Sequence, residues 1–245
     1  MKADPAAQRR LLDLQAIDTA LGQLAHRRGA LPELAEIADG TKQLTGLSDA
    51  VAAARADVDD LGRDVRRLEM DVEQVRNRAT KDQQRMQAGG LPSKELERLQ
   101  HEVDSLARRA SSLEDDELEL MEKREEAETV LAAAESAKAA VDTTVVAATE
   151  RRDAAFVEID AETDKRGAER AAIVPNMPDD LLKLYERIRS TSGIGAALLR
   201  ARRCEGCRLE LAGSDYAAIK KASPDEVIRH EECGRILVRT DMSGL

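Results

Sequence analysis

Apolar residues recur every three or four positions along most of this chain. One series runs Val51, Ala54, Val58, Leu61, Val65, Leu68, Val72, Val75, Ala79, and another runs Leu96, Leu99, Val103, Leu106, Ala110, Leu113. That spacing marks one face of a long coiled-coil helix. Between the two series stands Gly89-Gly90-Leu91-Pro92. Glycine admits the positive φ that a reversal needs, and proline forbids a continuous helix. Ser93 stands where an N-cap would open the return helix. The pattern predicts an antiparallel helical hairpin turning near 89–92.

The flanks extend this picture. Asp4 and Pro5 carry an N-cap signature, Leu11, Leu14, Ile17, Leu21 and Leu24 form a stripe, and Gly29 and Pro32 end the first helix. The second helix is expected over about 33–88 and the third over about 93–170. Pairing the hairpin symmetrically leaves residues 153–175 for the first helix to lie along, so a two-stranded arm with a three-stranded base follows. Glu117, Arg124 and Lys138 fall on seam positions of the third helix. Charge there weakens a two-helix contact and can fix register. The plain reading is a slender coiled coil, the sharper one a gap that takes a partner's helix. Past 170 the heptads stop. A linker with two prolines precedes a short helix over 179–192, with Asn176 as its cap, Leu181, Leu184, Tyr185 and Ile188 as its face, and Gly193 as its end. Residues 196–199, 209–211 and 236–238 read as strands, and 214–221 as a helix capped by Ser214. The expected fold is mainly α: a coiled-coil hairpin over 1–174, a linker and short helix over 175–195, and a small ribbon over 196–245.

Composition agrees. Of 245 residues 35% are charged and 1% aromatic, the aromatics being Phe156, Tyr185 and Tyr216. One compact core of this size would use more, whereas long helices need few. The net charge is −10, which argues against a whole-chain binder of polyanions. Residues 196–245 hold nine Lys/Arg and eight Asp/Glu, while the remainder holds 29 and 40. Nine acids crowd 114–128, read as a solvated face or an attraction for a basic partner. At the tip, 76–98, six bases outnumber three acids. Neither a secretory signal nor an apolar membrane span is apparent, so a cytoplasmic protein with no membrane partner is expected. There is no Gly-rich phosphate loop and no nucleophile–base pair. No catalytic residue and no small-molecule substrate are therefore expected.

The chemistry-bearing residues lie near the C-terminus. Cys204-Glu-Gly-Cys207 is followed, after an interval, by His230-Glu-Glu-Cys233-Gly234. Two ligand pairs, each with a two-residue spacer, are the spacing of a zinc ribbon. Each short pair bends so that both side chains reach one ion, and the long segment lets the two turns meet. Thiolate and imidazole suit zinc, and four protein ligands leave no position for water. The expectation is one structural Zn2+ held by Cys204, Cys207, His230 and Cys233. A Cys204–Cys207 disulfide is the alternative, and oxidation of zinc thiolates makes a redox switch conceivable. His26 and His101 lie on helices far from any cysteine and read as surface residues. Arg200, Arg202, Arg203, Arg208 and Arg235 surround the site and are candidates for phosphate contacts. Their neighbours Glu205, Glu210, Glu231 and Glu232 dilute that field, and only Tyr216 offers a face for a base.

At these residues the chain resembles a bacterial family, the coiled-coil proteins with a C-terminal C4-type zinc ribbon. The resemblance rests on 93–102 (Ser-Lys-Glu-Leu-Glu-Arg-Leu-Gln-His-Glu), 184–189 (Leu-Tyr-Glu-Arg-Ile-Arg), Cys204-x-Gly206-Cys207 and Cys233-Gly234-Arg235-Ile236-Leu237. It spans nearly the whole chain. One departure is His230, where the family pattern has cysteine; histidine can serve there as a ligand. The resemblance implies a non-enzymatic adaptor for a protein, RNA or DNA partner, with a role in gene regulation. A purely protein-binding scaffold with a structural or redox-sensitive zinc site is the other reading.

Overall fold

The computed structural model describes residues 1–245. It contains five α-helices: α1 (Pro5–Gly29), α2 (Pro32–Gln87), α3 (Ser93–Ile173), α4 (Asp179–Ser192) and α5 (Gly213–Lys221). Four short strands, β1 (Ala196–Arg200), β2 (Arg203–Cys204), β3 (Ile228–Arg229) and β4 (Ile236–Val238), form one sheet in the order β2-β1-β4-β3. The chain divides into two compact units, Ala35–Thr149 and Met1–Leu34 with Glu150–Leu245.

The first unit is the helical hairpin. Gly89 and Gly90 take φ of 76° and 82°, the left-handed backbone that the reversal needs. The Leu96 amide donates to the Pro92 carbonyl at 3.0 Å. Ser93 thus lies inside the first turn of α3 rather than capping it, because Pro92 already occupies the cap position. Ala54, Val65 and Val72 of α2 and Leu99, Ala110 and Leu113 of α3 are buried seam residues. From Glu114 to Ala147 no residue of α3 is fully buried, which reproduces the imperfect seam of the sequence. Arg76–Glu114 (3.0 Å) and Arg55–Glu135 (2.6 Å) link the helices at solvent-exposed positions. Such exposed pairs contribute little energy and mainly set register. Gly40 lies where a Cβ would come within 2.4 Å of Val145 Cγ2, so the helices approach closely there.

In the second unit α1 opens as expected: the Asp4 carboxylate accepts from the Ala6 amide at 2.7 Å, with Pro5 in the first turn. It lies along the end of α3. The Arg28 guanidinium stacks 3.8 Å above Phe156 and pairs with Asp160, and Arg170 donates to Asp18. The base is therefore three-stranded, α1, α3 and α4 together. Leu11 and Leu14 of α1, Leu181, Tyr185 and Ile188 of α4, and Ala196, Ile236 and Val238 of the sheet form one apolar core. α4 ends at Gly193 with φ 76°.

Several local expectations are corrected. Asn176 does not cap α4; its amide donates to the Ala172 carbonyl, and Pro178 holds the cap position. Ser214 lies within α5, whose cap is Ala212. Residues 209–211 form only an isolated bridge, Arg203 to Glu210, because the tight turn before them leaves too short a ladder. β3 was not expected: two residues carry no readable alternation. Unexpected too is the N-terminal segment, which pairs antiparallel with 225–227. The Ala3 amide donates to Asp225 at 2.7 Å and the Val227 amide to Met1 at 3.0 Å.

Candidate metal centre

Two turns of matching construction carry the four ligands. In the first, Cys204 ends β2 and the Arg208 amide donates back to the Cys204 carbonyl at 2.7 Å. In the second, His230 follows β3 and the Gly234 amide donates back to the His230 carbonyl at 2.7 Å. The residue after the second ligand is left-handed in both, Arg208 at φ 63° and Gly234 at φ 71°. Glycine does this freely; arginine carries about 1–2 kcal/mol of strain. Gly206 has a different reason to be glycine. A Cβ there would lie 2.9 Å from both Ala197 Cβ and Arg235 Cδ, so the turn packs flat against the sheet.

The turns bring Cys204, Cys207, His230 and Cys233 together, each offering one ligand atom within 4.8 Å of the others. His230 Nδ1 stands 3.3 Å from Cys207 Sγ and 3.1 Å from Cys233 Sγ. Ideal tetrahedral zinc places a nitrogen and a sulfur ligand about 3.5 Å apart. The donor set fits, with Nδ1 as the nitrogen turned inward. Cys204 is 0% exposed and His230 2%. Burial pushes the Cys204 thiol up to about 11 in the metal-free chain. Cys207 is shifted the other way: against its own desolvation, the Leu209 amide, the neighbouring sulfurs and the Arg235 guanidinium lower it. The site holds one structural zinc, with every position supplied by the chain.

The five candidate arginines are not equivalent. Arg200 approaches Glu205 at 3.9 Å and donates to Met242 Sδ. Arg202 lies 4.2 Å over the Tyr216 ring, whose hydroxyl donates to the Gly244 carbonyl. That stacking covers one face of the only aromatic in the ribbon. Arg235 reaches into the turn beside Gly206, and its Nε is buried without a hydrogen-bond partner. Arg203 and Arg208 are exposed, with no ion pair.

What sequence reading missed are the polar ties behind the ribbon. Gln15 of α1 accepts from the Gly195 amide at 2.7 Å, and Gln8 donates to the Ala3 and Pro224 carbonyls. Asp18, buried, accepts from the Tyr185 hydroxyl at 2.7 Å and from Arg170 at 2.8 Å. Arg239 donates to the carbonyls of Ala222, Ser223, Pro224 and Glu226. Gln8, Gln15 and Asp18 share the helical spacing of Leu11 and Leu14, which was the available signal.

Comparison with known proteins gives a consistent result. The family model of the CT398-like coiled coil hairpin domain matches residues 14–193, and that of the C4-type zinc ribbon domain matches 203–237. An uncharacterized protein of Mycobacterium tuberculosis is 38% identical over 98% of both chains. A solved structure from Mycobacterium smegmatis is 36% identical with a TM-score of 0.85, covering 98% of this chain and all of that one. CT398 from Chlamydia trachomatis shares the fold at 19% identity, with a TM-score of 0.68 over 95% of this chain and 97% of its own.

Proposed function

The chain belongs to the CT398-like coiled-coil hairpin family with a C4-type zinc ribbon, and from that premise we propose that it is a non-enzymatic adaptor. Its ribbon engages a protein partner, and the hairpin serves as spacer and docking surface. The observation that carries this reading is the closed donor set: three thiols and one imidazole converge, and no position is left for water or substrate. The metal then holds a shape, and that shape acts by being recognised.

Charge favours a protein over a nucleic acid. The unit that contains the ribbon carries 22 Lys/Arg and 22 Asp/Glu. Binding to phosphates needs several free cations on one face. Here Arg239 is spent on carbonyls, Arg229 donates to the Gly234 carbonyl, and Arg202 lies on Tyr216. One observation supports the nucleic-acid reading. Arg202 and Arg208 both hold left-handed backbone, and strain of this kind gathers at functional sites. Fluorescence anisotropy of the zinc-loaded chain with labelled single- and double-stranded RNA and DNA separates the two. No saturable binding is expected between about 50 and 200 mM salt. Binding that falls steeply with salt and disappears in Arg203→Ala/Arg208→Ala moves the function to nucleic acid. Crosslinking in cells, read at Lys220 and Lys221 of the ribbon, is expected to join it to another protein.

A further inference from the structure

We infer that Cys207 and Cys233 form a pair oxidised by hydroperoxides, closing to a disulfide that releases the zinc while Cys204 is spared. The ligands divide by access. Cys204 is fully buried in a cluster with Ala197, Leu199, Leu211, Ile219 and Leu237. Cys207 and Cys233 are each half-buried. They come from different turns and both sit against Nδ1 of His230, at 3.3 and 3.1 Å. A small polar oxidant thus meets these two sulfurs first, and they already lie within 4.8 Å of each other.

When bound, the metal keeps the thiolates deprotonated. The Cys207 thiolate attacks one oxygen of hydrogen peroxide; the S–O bond forms, the O–O bond breaks, and hydroxide leaves. The Cys233 thiolate then attacks the sulfenic sulfur; the S–S bond forms, the S–O bond breaks, and a second hydroxide leaves. Two thiolates supply the two electrons that peroxide accepts, and solvent protons convert both hydroxides to water. Cys204 and His230 remain as two donors, too few to hold zinc tightly.

The consequence is local. β1 and β4 stay on α1 and α4 through Ala196, Ile236, Leu11, Leu14 and Tyr185, none of which touches the metal. Oxidation therefore frees the two turns from the metal, leaves them joined by one S–S bond, and keeps the helices in place.

The experiment treats the zinc-loaded full chain with hydrogen peroxide in the presence of a chromogenic zinc chelator. Blocking with an alkylating agent and peptide mass mapping follow. Expected are loss of the bound zinc, a Cys207–Cys233 linkage, alkylated Cys204, unchanged helical circular dichroism, and faster hydrogen exchange confined to 203–211 and 230–235. Thiol reductant with zinc restores the starting state. Zinc retained at peroxide concentrations that oxidise a free thiol control overturns the inference. So does a Cys204–Cys207 linkage, or zinc loss with sulfinic acid and no disulfide.

Discussion

Arg208 and Gly234 occupy equivalent places in the two metal-binding turns, yet only one is glycine. Arg208→Gly is expected to stabilise the chain by up to about 1 kcal/mol, since the left-handed strain exceeds the added freedom of the unfolded chain. Chemical denaturation of both proteins with zinc bound measures this. Buried titratable groups set a second expectation. Cys204 is raised to about 11 by burial, and Tyr185 is raised by burial and by its hydrogen bond to Asp18. Groups whose folded pKa is raised contribute stability below their ordinary values, here 9.0 and 10.0, and lose it as pH rises. The metal-free chain is expected to melt progressively lower from about pH 9 to pH 11. The zinc-loaded chain is expected to show only the Tyr185 part, because the metal has already displaced the Cys204 proton. Thermal melts across that range, with and without chelator, check both.

Among the elements, the hairpin helices depend on small residues as much as on heptads. Gly40 is buried and faces Val145, whereas Gly46 faces open space. Gly46→Leu is expected to raise the melting temperature, because glycine is a poor helix former by about 1 kcal/mol. Gly40→Leu is expected to lower it, with overpacking costing about 1–3 kcal/mol. Paired melts of the two variants separate helix propensity from interhelical packing. Both glycines look alike in sequence; their difference is a matter of which faces the partner helix. The ends of the elements show the same division. The Asp4 cap was legible because its partner, the Ala6 amide, is two residues away. Asn176, Ser93 and Ser214 were misplaced by one or two positions, since Pro178, Pro92 and Ala212 hold the cap positions by backbone geometry alone, without the side-chain acceptor that the rule looks for. β3 was invisible because its two residues are a strand only beside β4, which they meet through Ile228–Leu237 and Arg229–Ile236.

For the whole molecule, the ribbon is not an appendage. Ala196, Ile236 and Val238 are buried against α1 and α4, and residues 1–3 add a pairing to 225–227. A peptide of residues 196–245 with zinc is expected to bind metal but to give a poorly dispersed amide spectrum. Ala196, Val227, Ile236 and Val238 pack in a core that α1 and α4 complete, and small lobes seldom fold on so little buried area of their own. A well-dispersed spectrum matching the full chain would contradict this. The charge is equally uneven: Ala35–Thr149 carries 26 acids and 16 bases, the whole of the net −10.

Sequence alone determined the hairpin, its turn, the first helix lying along the end of the third, and the four residues that cluster as zinc ligands. These rest on local rules: helical periodicity, the backbone freedom of Gly89 and Gly90, and the reach of a side chain across a two-residue spacer. Tertiary structure decided what no local rule contains, such as the completion of the base by α4. It placed Gln15 against Gly195, Asp18 against Tyr185 and the N-terminus against 225–227, partners separated by more than 160 residues in each case. It also decided which arginines are free and which thiols are open. Exposure and pairing belong to the packed surface, where every atom's neighbours come from elsewhere in the chain.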